Sequence, residues 1–368
     1  MIQTTEALAA LATKAREHDA IALDTEFVWE RTYYPKLGII QIAFSDEDCQ
    51  LIDPNAINDL DPLSDLLADR KVVKILHDAP QDLAILHHAT GTAAQNVFDT
   101  RLAAGFAGFP ATLSLSNLIK ELLDIELAKT ETRTNWLQRP LNEKQIDYAL
   151  DDVRYLRALR ILLLSRIVGP KIKSWLQEEL NLLNNPKNYL ENGGTERYRK
   201  LRGANKLDSQ SLAILKRLYL WREEKAQTKD RPRGHILKDA TLVHLARKKT
   251  ETLEGLEKKM GFSPKAIKRY GEEVTAIITE TLKAPEESYP TPCEIIKLTT
   301  KEKAESVRLH KLIQLKSKLL DIDPTLIGNT QELKELIRLP ATGHGQKQLR
   351  QTEGWRKSFL ADFFRQKR

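Results

Sequence analysis

The sequence predicts an α/β domain built on a mixed sheet and covered by helices, followed by all-α helical domains. Three observations predict it. Short apolar runs alternate with amphipathic segments through the first 169 residues. Beyond Gly169-Pro170, which ends a long helical pattern, only helical periodicity continues. Charge divides along the same line: residues 1–200 carry 23 Lys and Arg against 29 Asp and Glu, a net −6, and residues 201–368 carry 35 against 22, a net +13. A chain of 368 residues predicts two or three domains. The boundaries fall at 1–169, 170–206, 207–288 and 289–368.

The first twenty residues carry Glu6, Lys14, Arg16 and Glu17, and read as an amphipathic helix rather than a signal peptide. Strands are expected at 20–25, 37–44, 49–52 and 72–77, and the short connections of the first three suit an antiparallel meander. Helices are expected near 80–89, 99–107, 113–124 and 142–168. Residues 170–206 hold a short helix and then a polar, Gly- and Asn-containing stretch that reads as a linker. Residues 207–284 hold a long helix through LKRLYLWREEKAQ, the basic turn RPRGHILKD, and two or three shorter helices, the last starting at Ser263-Pro264. The break at Tyr289-Pro290-Thr291-Pro292 separates a last helical block. Cys49 and Cys293 fall in different expected domains, which argues against a disulfide. No apolar run approaches membrane-spanning length, and the expected location is the cytoplasm.

Acidic residues interrupt this pattern where local structure asks for something else. Asp24 and Glu26 sit in the apolar run AIALDTEF. Strand alternation points both side chains to one face, where two like charges repel unless a cation lies between them. Asn142 to Gln145 reads as a capping box, with an amphipathic helix following through Ile146, Leu150, Val153 and Leu156. At about 100° per residue, Tyr148 and Asp152 lie about 40° apart on the face opposite that stripe. Asp147 has Lys144 three positions back and Asp151 has Arg154 three positions on, whereas Asp152 has no basic helix neighbour. Asp82, near Pro80, either favours the first turn of its helix or joins the other carboxylates. Oxygen ligands without a Cys or His cluster suit two Mg²⁺ or Mn²⁺ ions rather than zinc, a pair known as a device for phosphodiester hydrolysis.

DTEF, HDAPQDL and YALDD, in this order, resemble the three exonuclease motifs of the DEDD superfamily in its tyrosine variant. RTYYPKLGIIQIA and TRTNWLQRPLNEKQIDYALDDVRYL are similar to ribonuclease D, and the resemblance is strong over residues 18–168. It implies a ribonuclease-H-like fold and 3′→5′ exoribonuclease activity that releases 5′-mononucleotides. It implies Asp24, Glu26, Asp82 and Asp152 as ligands of two divalent metal ions, with Tyr148 orienting the nucleophilic water. Asp151 is the rival of Asp152, and both the Tyr-x-x-x-Asp spacing and the absence of a helix partner choose Asp152. Pro80 and Gln81 depart from the acidic neighbour common in the second motif. Residues 207–288, with Pro-x-x-x-Ile-Leu-Lys-Asp and Leu-x-x-Leu-Ala, resemble the HRDC domain. Residues 289–368 read as a divergent second copy, and Gln346 to Arg356 resembles the C-terminal ribonuclease D pattern.

The implied substrate is structured RNA such as tRNA precursors, handled by a monomer away from membranes, with the basic half holding phosphates. Phe27 either wedges against the terminal base or belongs to the core. Trp136 and Arg139 either contact substrate or pack. Arg231, Arg233 and Lys238 either meet phosphates or form a solvated loop. His77, His87 and His88 either serve as ligands or bases or are explained by a strand end and a capped helix. Two other functions stand beside this one: a DNA 3′→5′ exonuclease of the same superfamily, and a non-enzymatic RNA-binding protein with a nuclease fold.

Overall fold

The computed structural model describes residues 1–127, 134–190, 194–259, 262, 264–292, 298–339 and 349–367, with the side chains of 194, 195 and 257–259 set aside. Cys293, Ser263 and Gln346 lie outside the described residues. The chain forms two compact units. The first comprises residues 1–27, 37–190 and 296–368, and the second comprises 28–36 and 191–295.

In the first unit the order is α1 (Thr5–Ala15), β1 (Ala20–Val28), β2 (Lys36–Ala43), β3 (Cys49–Ile52), α2 (Asp61–Ala68), β4 (Val73–Leu76), α3 (Pro80–Thr90) and β5 (Val97–Asp99). Helices α4 (Thr100–Phe106), α5 (Leu115–Leu123), α6 (Glu143–Arg154), α7 (Leu156–Arg166), α8 (Pro170–Leu182) and α9 (Lys187–Leu190) follow. The sheet order is β3-β2-β1-β4-β5. β1 runs parallel to β4 and β4 to β5, and β2 runs antiparallel to β3. The mixed sheet is therefore as expected, and the carboxylate strand β1 is its centre. Strand β5 and helix α2 are additions to the sequence reading: Val97–Asp99 is too short to show alternation.

The helix expected over 142–168 is divided at Tyr155, a single turn residue with φ −99° and ψ −2° between α6 and α7. No Pro or Gly marks the break. The sheet-facing stripe of α6 is also not the one expected. Gln145, Ala149 and Val153 are buried, while Ile146 and Leu150 are half-buried. At about 100° per residue this places Tyr148 and Asp152 beside the buried stripe rather than opposite it.

The second unit consists of a helical turn over Gly194–Lys200, α10 (Ser209–Thr228), α11 (Arg233–Ile236), α12 (Asp239–Lys248), α13 (Leu253–Lys259) and α14 (Pro264–Leu282). Its core includes Leu215, Leu218, Leu242, Leu245, Val274 and Ile278. The buried Arg222 of α10 donates to the Leu237 carbonyl at 2.9 Å and to Asp239 Oδ1 at 2.6 Å, tying α10 to the turn before α12. Residues 28–36 join this unit through Tyr33. Its hydroxyl meets Glu223, Gln227 and Arg233, and its backbone N–H donates to Asp230.

Two domain expectations are corrected by this packing. The stretch 170–206 is not a free linker: α8 buries Ile172, Trp175 and Leu176 in the first unit, and Tyr198 is fully buried in the second. Nor does 289–368 stand alone. Helices α15 (Thr300–Leu320), α16 (Thr330–Arg338), α17 (Gly354–Phe359) and α18 (Ala361–Gln366) return to the first unit. Leu309, Ile313, Trp355 and Phe359 share one apolar cluster with Phe106 and Trp175. Helical periodicity shows that such a block has an apolar face, and not which surface covers it. Among the described residues no helix is long and apolar enough to cross a membrane.

Candidate active site

Each member of the site is placed by a local rule. Alternation along β1 sends Asp24 and Glu26 to one side. The α6 capping box forms as expected: Asn142 Oδ1 accepts from the Gln145 N–H at 2.9 Å, and Gln145 Oε1 accepts from the Asn142 N–H at 3.0 Å. Gln145 Nε2 also donates to Thr134 Oγ1, which ties the helix start to the preceding segment. Two turns on, Asp152 reaches the strand. Carboxylate oxygens of Asp24, Glu26 and Asp152 all lie within 4.8 Å of one another. Asp151 pairs with Arg154 at 3.0 Å and is not one of the converging groups.

Asp82 lies in the first turn of α3 and is 8% exposed. It is not one of the three converging groups. Its Oδ1 instead accepts a 2.5 Å hydrogen bond from Thr25 Oγ1. Asp99 sets the position of that turn: its carboxylate accepts from the N–H groups of Asp78 and Ala79 before α3, and from those of Arg101 and Leu102 at the start of α4. Thr25 and Asp99 were not among the residues singled out from sequence. The helix-start pattern Asp99-Thr100 carried the signal for the second; the first had none beyond adjacency to Asp24.

The electrostatics are those of a crowded acidic site. Burial, with the charges of Asp82, Asp152 and Glu26 adding, holds Asp24 well above the usual carboxylate range. Burial, with the charges of Asp152 and Asp82 adding, pushes Glu26 up to about 8. Burial raises Asp82 to about 7 against the Thr25 hydrogen bond, and raises Asp152 to about 7 against one from Tyr148. Burial and the carboxylates push the Tyr148 hydroxyl up as well, so it stays a proton donor at neutral pH. Three convergent carboxylates fit a divalent ion: an all-oxygen donor set whose charged form is costly until a counter-charge arrives.

Trp136 is only 3% exposed, and its ring centroid is 6.1 Å from that of Tyr148. Its backbone passes so close to Gly38 that a Cβ there would come within 2.7 Å of Trp136 Cβ. The Trp136 expectation thus resolves to packing, as support for Tyr148. Arg139 is likewise internal. It donates from Nε and Nη2 to the two oxygens of the buried Asp53, at 2.6 and 2.8 Å, and to the carbonyls of Gly38, Trp136 and Gln138. Every nitrogen of its guanidinium is occupied, which leaves no donor for a substrate. Arg233 is engaged inside its own unit. Its Nε holds Glu223 at 2.7 and 2.8 Å, its Nη2 reaches Tyr33, and its guanidinium lies 4.4 Å from the Tyr33 ring centroid. Arg231 and Lys238 are exposed and have no ion partner among the described residues. Phe27 is half-buried, one residue beyond Glu26. His77 spends both ring nitrogens on Thr100 and the Leu113 carbonyl, and burial lowers it to about 4.

Comparison with known proteins agrees with this architecture. Residues 1–167 match the 3′-5′ exonuclease family and residues 211–278 the HRDC domain. Ribonuclease D of Desulfotalea psychrophila is 53% identical over 99% of this chain and 97% of its own length. Ribonuclease D of Pseudomonas paraeruginosa is 34% identical over 95% and 93%. The crystal structure of Escherichia coli RNase D, described as an exoribonuclease involved in structured RNA processing, superposes with a TM-score of 0.88 at 31% identity, covering 100% of this chain and 97% of that one. With an exonuclease match followed by an HRDC match, and with relatives named ribonuclease D covered nearly end to end, the chain belongs to the ribonuclease D family of 3′→5′ exoribonucleases.

Proposed function

We propose that the chain trims 3′ extensions from structured RNA, tRNA precursors above all, releasing 5′-mononucleotides with the help of two divalent cations, Mg²⁺ or Mn²⁺. The single observation that carries the chemistry is the convergence of Asp24, Glu26 and Asp152, with Asp82 close enough to raise the first two electrostatically. Those four residues would hold the cations. Bound there, the cations supply Lewis acidity and counter-charge for the phosphodiester.

The chain's own groups do the positioning. Tyr148, protonated and hydrogen-bonded to Asp152, presents a hydroxyl that can orient the attacking water. The buried Trp136 ring lies beside that of Tyr148 and helps to hold it in place. Thr25 and Asp99 fix the turn that carries Asp82. Phe27 is the candidate to pack against the terminal base, and Arg231 and Lys238 keep free charge for phosphates. The structured substrate is supported by the role stated for the Escherichia coli relative and by the +13 surplus of residues 201–368.

The test compares a 3′-extended precursor tRNA with an unstructured RNA and a DNA strand of the same sequence. The RNA should shorten stepwise and the DNA far more slowly, since discrimination rests on the 2′-hydroxyl. Equal or faster loss of DNA would refute the RNA assignment and favour the DNA exonuclease.

A further inference from the structure

Helix α15 sorts its charges by direction. Its two acidic residues are half-buried and paired, Glu302 with Arg338 at 3.5 Å and Glu305 with Lys367 at 3.8 Å. Lys316 is also turned inward, donating to the Phe359 carbonyl and to Asp362. Leu309 and Ile313 lie in the core. The remaining bases, Lys301, Lys303, Arg308, Lys311 and Lys318, are all exposed, and none has an ion partner among the described residues. At about 100° per residue these five fall within an arc of about 160°, and the paired acids fall outside it. The solvent face is thus cationic without an acidic side chain.

Charge on the whole segment points the same way. Residues 296–368 carry 16 Lys and Arg against 8 Asp and Glu, a net +8, while residues 201–295 carry 19 against 14, a net +5. The larger share of the basic surplus therefore belongs to the unit that holds the carboxylate cluster. Lys303 to Lys318 is 15 residues, about 22 Å at 1.5 Å per residue. That length passes several phosphates at an axial spacing of about 3.4 Å per strand. Val307, Leu315 and Leu319 are 70%, 61% and 82% exposed and lie between the cations. A membrane-surface helix needs a continuous apolar face with cations beside it, and here the apolar face is spent on the core.

We propose that the solvent face of α15 is a docking track for the phosphate backbone of folded RNA, held chiefly by Lys303, Lys311 and Lys318. This rests on the exoribonuclease reading for the choice of RNA as the polyanion. The apolar side chains between the cations act as spacers and contribute little.

The experiment measures Kd against salt for a folded precursor tRNA, in EDTA, so that binding is readable whether or not the RNA is cut. Wild type is compared with the triple variant Lys303→Glu, Lys311→Glu, Lys318→Glu, with the milder triple to Gln, and with Val307→Ser, Leu315→Ser, Leu319→Ser. Both charge variants should weaken binding, the Glu triple by about tenfold or more, and flatten the slope of log K against log salt by about two to three. The serine variant should bind as wild type does. Trimming of a short unstructured RNA with Mg²⁺ should stay at the wild-type rate in all three, and failure of wild type itself to trim would count against the nuclease reading alone. An unchanged slope in both charge variants would overturn the proposal. So would loss of binding in the serine variant only, or charge-dependent binding to phosphatidylglycerol vesicles without a change in the RNA slope.

Discussion

The Thr25 hydroxyl donates a 2.5 Å hydrogen bond to Asp82 Oδ1. Alternation sends Thr25 to the side of β1 away from Asp24 and Glu26, so the residue between two carboxylates holds a third. Thr25→Val keeps the shape and removes the donor. It should leave folding intact and shift the Mg²⁺ dependence of RNA cleavage to about 10–100-fold higher concentration, the usual scale for losing the group that orients a ligand. A metal titration of activity checks this; a curve superimposable on wild type would remove Thr25 from the site.

Tyr148→Phe should lower kcat more than it raises KM. In the proposed mechanism the hydroxyl acts on the reaction path only, so RNA binding in the ground state should hardly change. A fall of about 10²-fold is the scale for a lost positioning or proton-transfer contact. Asp151→Asn is the matched control, since Asp151 is engaged with Arg154. Steady-state kinetics on one short RNA decide it: an inactive Asp151→Asn beside an active Asp152→Asn would mean that the wrong carboxylate faces the strand.

The raised carboxylates make stability depend on pH in a definite direction. Glu26 lies at about 8 and Asp82 and Asp152 at about 7, all above their ordinary values. The folded protein therefore keeps protons that the unfolded chain releases, and the metal-free protein loses stability as pH rises from about 4 to about 8. A bound cation removes that penalty by favouring the charged forms. Mg²⁺ should raise Tm more at pH 8 than at pH 6, as thermal melts with and without EDTA would show. A larger shift at pH 6 would contradict the cluster as the binding site.

Arg356→Ala should destabilise the nuclease unit although it lies far along the chain. The Arg356 side chain is buried, holds Glu179 through both Nη atoms, and donates from Nε to the Leu326 carbonyl at 2.9 Å. Trp355 beside it donates to the same Glu179, meets the Phe106 ring edge-on and lies tilted against Trp175. Breaking such a pair leaves a carboxylate without its partner, at a cost of about 3 kcal/mol or more. Thermal melting should show a lower Tm, and a chain cut after residue 206 should fail to give a folded nuclease. Full stability in either case would mean that the last block is dispensable to the first unit.

The parts legible in sequence were those with local causes. Alternation around Asp24 and Glu26, the capping box at Asn142, and the missing helix partner of Asp152 each predicted where a side chain would point. The apolar pattern of α6 points to Ile146 and Leu150, whereas tertiary packing buries the less apolar Gln145 and Ala149. Arg139, Arg233 and Trp136 looked available for substrate because their partners Asp53, Glu223 and Gly38 are distant in sequence or carry no signal of their own. The docking of 296–368 onto the first unit rests on tertiary contacts such as Trp355 to Glu179, which no periodicity encodes.

The proposed function stands or falls with cation binding at the Asp24, Glu26 and Asp152 cluster and cleavage from the 3′ end. The most direct measurement follows 5′-labelled single-stranded RNA, nucleotide by nucleotide, with Mg²⁺ or EDTA, for wild type and Asp24→Asn. Wild type should give a ladder shortening one nucleotide at a time only with Mg²⁺, and Asp24→Asn should give almost none while still binding RNA in EDTA. Internal cuts, a ladder that persists in EDTA, or a near-normal rate for Asp24→Asn at saturating Mg²⁺ would contradict it.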